Sequence, residues 1–155
     1  MKVLSVLTRS HKICTPKQNY YDEIEADELW TYVEKKKRKY WLFYAYHRAT
    51  GEIIAWVWGK RRNYKTVCML RDEIIKLGVS FGIIYTDDLS SFAKAFKSYN
   101  HIIGKKNTVG IEGNNCRLRH RIRRVFRKTC CFSKKLFNHL KAFKLTIFYI
   151  NFGYV

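Results

Sequence analysis

Apolar residues in the first half of the chain form three closely spaced runs that predict an antiparallel meander. The runs follow Asp22, read EIEADELWTYV, KYWLFYAYH and EIIAWVWGK, and are rich in β-branched and aromatic residues. The polar links EKKKRK and RATG between them are short enough for hairpins. Several runs are apolar at consecutive positions instead of alternating positions, which is typical of a sheet that is covered on both faces.

The segment after the meander alternates between helical and strand patterns. Val67, Leu70 and Ile74 recur at helical spacing before Gly78, which favours the end of a helix. The segment FGIIYTDD then predicts a short buried strand, SSFAKAFK a short helix and HIIGKK another strand. Because strands separated by a helix are joined by a parallel crossover, the chain predicts an α/β fold. Its mixed sheet has five strands, three antiparallel and then two parallel, with helices on its faces.

Two further helices are predicted after the last strand. One extends from about residue 109 to 129, and its apolar stripe of Leu118, Ile122, Val125 and Phe126 is flanked by arginine and lysine. The other extends from about residue 133 to 151. Residues 1–20 show no clear period and are interpreted as a linker or the remnant of an arm, whereas residues 21–155 have the length of one domain.

Charge adds a class of partner to this fold. The chain has 155 residues, a formal net charge of +19, 47% hydrophobic residues and one proline, a composition that excludes a disordered chain. Strong positive charge concentrates polyanions, so nucleic acid is the first partner to consider. Lys141 and Lys144 interrupt the apolar end of the chain, which predicts no membrane-spanning helix. Five cysteines without C-x-x-C spacing fit a reducing cytoplasm.

Three of the twelve acidic residues stand out by their positions. Asp27 lies inside the first strand run, where an uncompensated charge is costly, and Asp87 closes a buried strand. Glu112, the only acidic residue after Asp88, lies near the start of a helix. If the two strands pair and the helix crosses beside them, the three carboxylates converge. Convergent carboxylates repel one another unless divalent metal is bound, so we expect Mg²⁺ or Mn²⁺, as two ions.

A family resemblance joins these observations. The strings EADELWTYV, WLFYAYHRATGEIIAWVWGKR, YTDD and HIIGKKNTVGIEGNNCRLRHRIRR, followed by RKTCCFSK, closely resemble transposases of the insertion-sequence-one family. The resemblance covers the chain from about residue 20 to its end. It implies a ribonuclease-H-like fold and a DDE enzyme that cleaves and transfers DNA strands with divalent metal. It also implies a prokaryotic, cytoplasmic and nucleoid-associated protein.

The resemblance carries the catalytic and metal-binding roles onto Asp27, Asp87 and Glu112. Glu28 and Asp88 are the competing assignments. Glu28 is disfavoured because adjacent residues of a strand face opposite sides. Asp88 is left open as an alternative to Asp87.

The resemblance also implies a basic residue after the glutamate that grips the phosphates of the transposon ends. Arg119, seven residues after Glu112 on the same helical face, fits that position, and Asn115 is a second candidate. Four further candidate DNA contacts are Arg117, Arg123, Lys105 and Lys106. Such contacts supply affinity without sequence choice. DDE transposition also implies a homo-oligomer on DNA.

Two features depart from the family pattern. Complete members look longer, with an amino-terminal zinc-finger and helix-turn-helix region, so that region is expected to be separate or missing here. His47 also stands where an aspartate is common. Both features leave open that the chain is an inactive remnant.

Two alternative functions are compatible with the same charge. One is a non-enzymatic basic DNA-binding fragment that competes with the full-length enzyme. The other is a tyrosine recombinase, because His120 and Arg123 match an H-x-x-R box, with Tyr149 or Tyr154 as the nucleophile. The geometry of the three acids discriminates between the DDE enzyme and the non-enzymatic fragment, since carboxylates more than about 10 Å apart cannot share metal ions.

Overall fold

Nine regular elements build the fold of the computed structural model, which describes residues 15–125 and 130–153. The strands are β1 (Tyr20–Val33), β2 (Lys35–His47), β3 (Glu52–Gly59), β4 (Ser80–Thr86) and β5 (His101–Ile103). The helices are α1 (Tyr64–Lys76), α2 (Ser90–Ala95), α3 (Val109–Arg121) and α4 (Leu136–Phe152). Short 3-10 turns lie before and after α3, at Lys105–Asn107 and Arg123–Val125.

The strands form one mixed sheet in the order β3-β2-β1-β4-β5. β1, β2 and β3 pair antiparallel as a meander, whereas β4 pairs parallel to β1 and β5 pairs parallel to β4. The predicted mixed sheet of three antiparallel and two parallel strands is therefore confirmed. The crossover helices α1 and α2 make the parallel pairings possible.

The sheet is covered on both faces, which explains the consecutive apolar residues in its strands. Phe43 belongs to a buried cluster with α1 and α2, whereas its neighbours Leu42 and Tyr44 belong to a second cluster with α3 and α4. Successive side chains of a strand point to opposite faces, so both faces of β2 need apolar residues.

Local signals delimit α1 where the sequence predicts them. The side chain of Asn63 accepts a hydrogen bond from the backbone N–H of Thr66 at 3.1 Å and caps the start of the helix. Gly78 follows the helix with φ 71°, a left-handed conformation that a residue without Cβ adopts easily.

The helix predicted from residue 109 to 129 is shorter in the structure. It ends at Arg121, Ile122 leaves the helical conformation with ψ 89°, and Val125 is buried from the following 3-10 turn. Repulsion between arginines four positions apart, such as Arg117 and Arg121, disfavours a longer helix. Phe126 and the rest of 126–129 lie outside the described residues.

The chain ends also differ from the predicted boundaries. The last helix begins at Leu136, three residues later than predicted, because Ser133 pairs with Val33 of β1. Residues 1–14 of the predicted linker lie outside the described residues. No helix in the described part of the chain is long and apolar enough to cross a membrane.

Candidate active site

The parallel register of β1 and β4 brings two predicted acids together. The last pair of this ladder is Ala26 with Thr86, so Asp27 and Asp87 are the next residues on adjacent strands. Oxygen atoms of Asp27, Glu28 and Asp87 all lie within 4.8 Å of one another. This acidic cluster lies at the end of β4, outside the carboxyl ends of the parallel strands, where α/β sheets commonly bind ligands.

Glu28 corrects the expectation that it faces away from the other acids. β4 has ended at Thr86, so no strand covers that edge of β1 beyond Ala26. The longer side chain of Glu28 reaches the open edge and joins the acidic cluster. Strict alternation of side chains holds only where strands continue on both sides.

Arg62 covers this cluster from outside. Its Nε donates a hydrogen bond to Glu28 Oε1, and its Nη2 lies 3.8 Å from Asp87 Oδ2. The other oxygen of Glu28, Oε2, is buried and has no hydrogen-bond partner among the described residues. One oxygen of the cluster is therefore without a hydrogen-bond donor.

Glu112 lies beside the acidic cluster on the first turn of α3, with an exposed side chain. Its carboxylate does not join the group within 4.8 Å found among the described residues, but its charge contributes to the raised pKa of Asp27. The structure thus brings Asp27 and Asp87 into contact range and sets Glu112 nearby.

A residue of β1 holds the start of α3. Glu25 is buried, and its Oε2 accepts a hydrogen bond from Ile111 N at 2.6 Å. Arg48 Nε donates to the other oxygen of Glu25 at 2.5 Å, and Thr108 makes no side-chain cap. A Cβ on Gly110 would lie 2.8 Å from Glu25 Oε1 and 2.9 Å from Arg48 Nε, so a larger residue there would have to displace this ion pair. Glu25 thereby fixes the helical turn that carries Glu112.

Desolvation and like charges raise the pKa of two acids in the cluster. Burial raises the pKa of Asp27 to about 6, with repulsion from Asp87 and Glu112 adding to the effect. Burial and repulsion from Asp27 and Asp87 raise the pKa of Glu28 to about 7, and Arg62 opposes this shift. The site thus favours a bound cation.

Asn115 contacts Asp27 instead of solvent, an arrangement that does not favour its predicted contact with phosphate. Its side chain is buried, and its Nδ2 donates to Asp27 Oδ2 at 2.7 Å. Its Oδ1 accepts from Tyr44 OH at 2.6 Å. The amide of Asn114 in turn donates to that hydroxyl at 3.3 Å. Both ends of the Asn115 amide are occupied inside the protein, and one oxygen of Asp27 is held in place.

The remaining candidate DNA contacts lie around α3. Arg119 is half-buried, and its Nε has no hydrogen-bond partner among the described residues. Arg117 donates to Asn114 Oδ1 at 2.7 Å and to Gly51 O at 3.4 Å, so its guanidinium ties α3 to the β2–β3 turn. The other three candidates have exposed side chains on the 3-10 turns: Lys105, Lys106 and Arg123.

The tyrosine recombinase alternative gains no support from this arrangement. His120 is exposed, and Tyr149 on α4 packs under the guanidinium of Arg121 at 4.8 Å. Tyr154 lies outside the described residues. Tyr149 does not belong to the acidic cluster.

Comparison with known sequences decides the family. The family model of the IS1 transposase matches residues 23–152, which include all three predicted acids. The chain belongs to the IS1 transposase family. It is 39% identical over 120 residues to the insertion element iso-IS1n protein InsB of Shigella dysenteriae, covering 76% of this chain and 88% of the relative. It is 36% identical over 120 residues to the insertion element IS1 2 protein InsB of Escherichia coli (strain K12), covering 69% of that protein.

Solved structures with a similar fold include retroviral integrases. The simian T-cell lymphotropic virus intasome contains a chain that matches with a TM-score of 0.63 and 17% identity, over 84% of this chain and 48% of that chain. The HTLV-2 integrase catalytic core domain in complex with magnesium matches with a TM-score of 0.56 and 18% identity, over 83% of each chain. The predicted ribonuclease-H-like fold is confirmed. The family performs phosphoryl transfer on DNA, so the non-enzymatic alternative is not favoured.

Sequence patterns missed the residues that support the acids. Glu25 precedes Asp27 by two positions and therefore shares its side of β1, a signal that could have drawn attention to it. Arg48 and Arg62 carry no local signal, because their partners are distant along the chain.

Proposed function

We propose that this DDE transposase cleaves and transfers DNA strands with Asp27, Asp87 and Glu112 as its catalytic and metal-binding acids. The observation that carries the assignment is the convergence of Asp27 and Asp87 at the end of adjacent parallel strands. The raised pKa of Asp27, to which burial and the charges of Asp87 and Glu112 contribute, supports the inclusion of the third acid. Asp88 is exposed and outside the acidic cluster, which favours Asp87 as the ligand.

The donor set fits Mg²⁺ or Mn²⁺. Carboxylate oxygens are the hard ligands that these ions prefer, and Glu28 Oε2 is a buried oxygen without a donor. We infer that two ions bind, held by Asp27, Asp87 and Glu112, with Glu28 beside them. When bound, the ions activate the attacking water or 3′-hydroxyl and stabilise the leaving oxygen in an in-line displacement at phosphorus. A structural relative, the HTLV-2 integrase core, is a complex with magnesium.

The chain's own residues orient this site. Asn115 donates to one oxygen of Asp27 and so fixes the plane of that carboxylate. Glu25 and Arg48 hold the first turn of α3, which positions Glu112 against β1. Because these side chains are already held in place, little free energy is needed to reorganise them during the reaction.

Basic side chains around α3 bind the phosphates of the transposon ends and the target DNA. Arg119 is half-buried, and Lys105, Lys106 and Arg123 are exposed. Arg117 is a weaker contact because it already bonds Asn114 and Gly51. These contacts supply affinity without sequence choice.

We further infer a homo-oligomer on DNA in the prokaryotic cytoplasm, associated with the nucleoid. The relative HTLV-2 integrase core has been solved in trimeric and dimeric forms.

Strand transfer with pre-nicked transposon ends tests the assignment. With Mg²⁺ or Mn²⁺, Glu112→Gln is expected to lower the rate at least about 100-fold, because loss of a metal ligand removes several kcal/mol of transition-state stabilisation. DNA affinity measured in chelator should be retained.

Two aspartate variants provide the matched control. Asp87→Asn is expected to abolish strand transfer like Glu112→Gln, whereas Asp88→Asn at the exposed neighbouring position keeps it. An unchanged rate of strand transfer in the Glu112→Gln variant contradicts the assignment. Tight DNA binding without cleavage by the unchanged chain supports the inactive remnant instead.

A further inference from the structure

A second charged region lies at the carboxyl end of β1, where the β1–β2 hairpin meets the segment before α4. Val33 forms a bridge with Ser133, and the N–H of Glu34 donates to the Ser133 carbonyl at 2.7 Å. The β1–β2 register passes from Tyr32–Lys39 to Val33–Lys35, so residues 36–38 project as a bulge. The lysine-rich tip of the hairpin therefore lies next to the loop around Ser133.

A cleft of about 570 Å³ opens beside this junction, and we call it the basic cleft. Phe132 and Asn138 line the cleft together with four cationic side chains, which are those of Arg123, Arg124, Lys134 and Lys135. Arg123, Arg124, Lys134 and Lys135 are all exposed. None of the described residues that line the cleft is acidic.

Buried hydrogen bonds hold the loop beside the basic cleft. The hydroxyl of Ser133 lies 2.7 Å from Nδ1 of His139, and Nε2 of the same ring lies 3.2 Å from Thr31 Oγ1. Ser133, His139 and Thr31 are fully buried. These bonds connect the loop, α4 and β1, so the backbone that carries Lys134 and Lys135 has a defined position.

Among the described residues, no acidic side chain forms an ion pair with the four cations that line the basic cleft. The nearest acid along the hairpin, Glu34, forms an ion pair with Arg38. Beyond Asp88 the sequence contains only Glu112, which lies at the opposite end of α3. The basic cleft is therefore a concentration of positive charge that attracts an extended polyanion.

The length of β1 gives the separation between the acidic cluster and the junction beside the basic cleft. Six strand positions separate Asp27 from Val33, or about 20 Å at roughly 3.3 Å per residue. A duplex rises about 3.4 Å per base pair, so about six base pairs span this distance. A straight duplex that follows β1 from the acidic cluster would therefore meet the basic cleft about six base pairs away.

We propose that the basic cleft binds the phosphate backbone of the DNA duplex about six base pairs from the reacting phosphate. The location of the reacting phosphate rests on the proposed function, whereas binding in the cleft does not. Cations that converge in a cleft surround a convex polyanion more closely than they contact a flat membrane surface. The contact is independent of sequence because it is made to phosphates.

The salt dependence of DNA binding tests the cleft. The triple variant Arg123→Gln, Lys134→Gln and Lys135→Gln is compared with wild type on random-sequence duplex DNA in EDTA. Each lost phosphate contact reduces the slope of log K against log[KCl] by about 0.9, so the slope should become less negative by about 2 to 3. Affinity at 0.1 M KCl should fall at least about tenfold.

A matched triple variant separates the cleft from net charge. Lys65→Gln, Lys94→Gln and Lys97→Gln remove the same charge from exposed positions around α1 and α2. Their slope should change by less than about 1. Equal slope changes in the two triples overturn the proposal, as does an unchanged slope in the cleft triple. Loss of binding to phosphatidylserine vesicles without loss of DNA binding also overturns it, in favour of a membrane surface. Thermal unfolding verifies that both triples are folded.

Duplex length tests the position of the contact. On pre-nicked transposon ends with ten base pairs beyond the nick, the cleft triple should bind more weakly than wild type, and with four base pairs the two should bind alike. A difference that persists at four base pairs overturns the six-base-pair spacing. The binding measurements do not depend on catalysis. A Glu112→Gln variant that stays active would therefore refute the catalytic assignment, but the salt slopes would still test binding in the basic cleft.

Discussion

The two ends of the segment from Asp27 to Val33 in β1 concentrate opposite charges in different environments. At one end, Asp27 and Glu28 are partly buried with Asp87, and burial together with mutual repulsion raises the pKa of Asp27 and Glu28. At the other end, the cations around Ser133 are exposed, and water and salt screen their repulsion. Like charge is costly only where it is desolvated.

This difference separates two kinds of ligand. Buried carboxylates within 4.8 Å of one another fit a small, multiply charged cation that can replace their lost hydration. Exposed cations spread over a cleft fit an extended polyanion that contacts several of them at once. The acidic end therefore lowers stability in the absence of metal, whereas the basic end leaves stability nearly unchanged.

The largest expected effect is that of Asp27→Asn, which should lower catalysis but raise stability. Asp27→Asn should lower strand transfer by about 1,000-fold or more, because a metal ligand is lost. In EDTA at pH 7 it should raise the free energy of unfolding by about 1 to 3 kcal/mol, since it removes a charge whose pKa is raised to about 6. Urea denaturation and the strand-transfer assay measure the two effects.

Lys134→Gln is the counterpart at the basic end. Its free energy of unfolding should stay within about 0.5 kcal/mol of wild type, because an exposed charge is removed. If Asp27→Asn lowers the free energy of unfolding in EDTA, the proposed contrast between a costly acidic cluster and a neutral basic cleft is wrong.

Acid should affect the two ends in opposite directions. Burial lowers the pKa of His139 to about 4, below its usual 6.5, so the unfolded chain binds more protons between these values. This contribution to stability is present above pH 6.5 and is lost as pH falls towards 4, by about 3 kcal/mol. Asp27 and Glu28 have raised pKa values of about 6 and 7, so the folded chain binds more protons and their contribution grows as pH falls.

Single variants resolve these opposing contributions. Unfolding in EDTA is measured from pH 7 to pH 4.5 for wild type, His139→Gln and Glu28→Gln. Relative to wild type, His139→Gln should lose less stability on acidification, and Glu28→Gln should lose more. Identical pH profiles for all three proteins would refute both pKa shifts as contributions to stability.

A smaller effect is expected from the residue that orients Asp27. Asn115→Ala removes a hydrogen bond to a carboxylate, worth about 1.5 to 3 kcal/mol, and should lower kcat about tenfold or more with an unchanged KM for DNA. The predicted contact of Asn115 with phosphate requires the reverse, a higher KM with an unchanged kcat. Asn100→Ala, at an exposed amide, is the matched control and should alter neither.

The smallest effect on function is expected from the hydrogen bond between Ser133 and His139 beside the basic cleft. Ser133→Ala leaves Nδ1 of His139 without its partner at 2.7 Å and should lower the free energy of unfolding by about 1 to 2 kcal/mol. Strand transfer with saturating DNA should be unchanged. Ser98→Ala, at an exposed position, is the control. If Ser133→Ala leaves the free energy of unfolding unchanged, this hydrogen bond does not hold the loop in place.

Local patterns predicted most of the fold correctly. The meander, α1 and the two parallel strands follow from β-branched runs, helical spacing and the order of elements. The length of α3 was wrong because the apolar stripe continues past Arg121 while the arginines beside it repel one another. The assignment of metal and DNA contacts stays a prediction, although the structure places Asn115 in contact with Asp27.

The sequence alone determined the class of the protein: its strands and helices, its positive charge, its isolated acids and its family. These properties depend on residue types and short spacings, which a linear pattern contains. Only the tertiary structure decided that Glu28 joins Asp27 and Asp87, that Glu25 holds the start of α3, and that Ser133 joins the β1–β2 hairpin. These contacts depend on strand register and on where β4 ends, because they join residues that lie far apart along the chain.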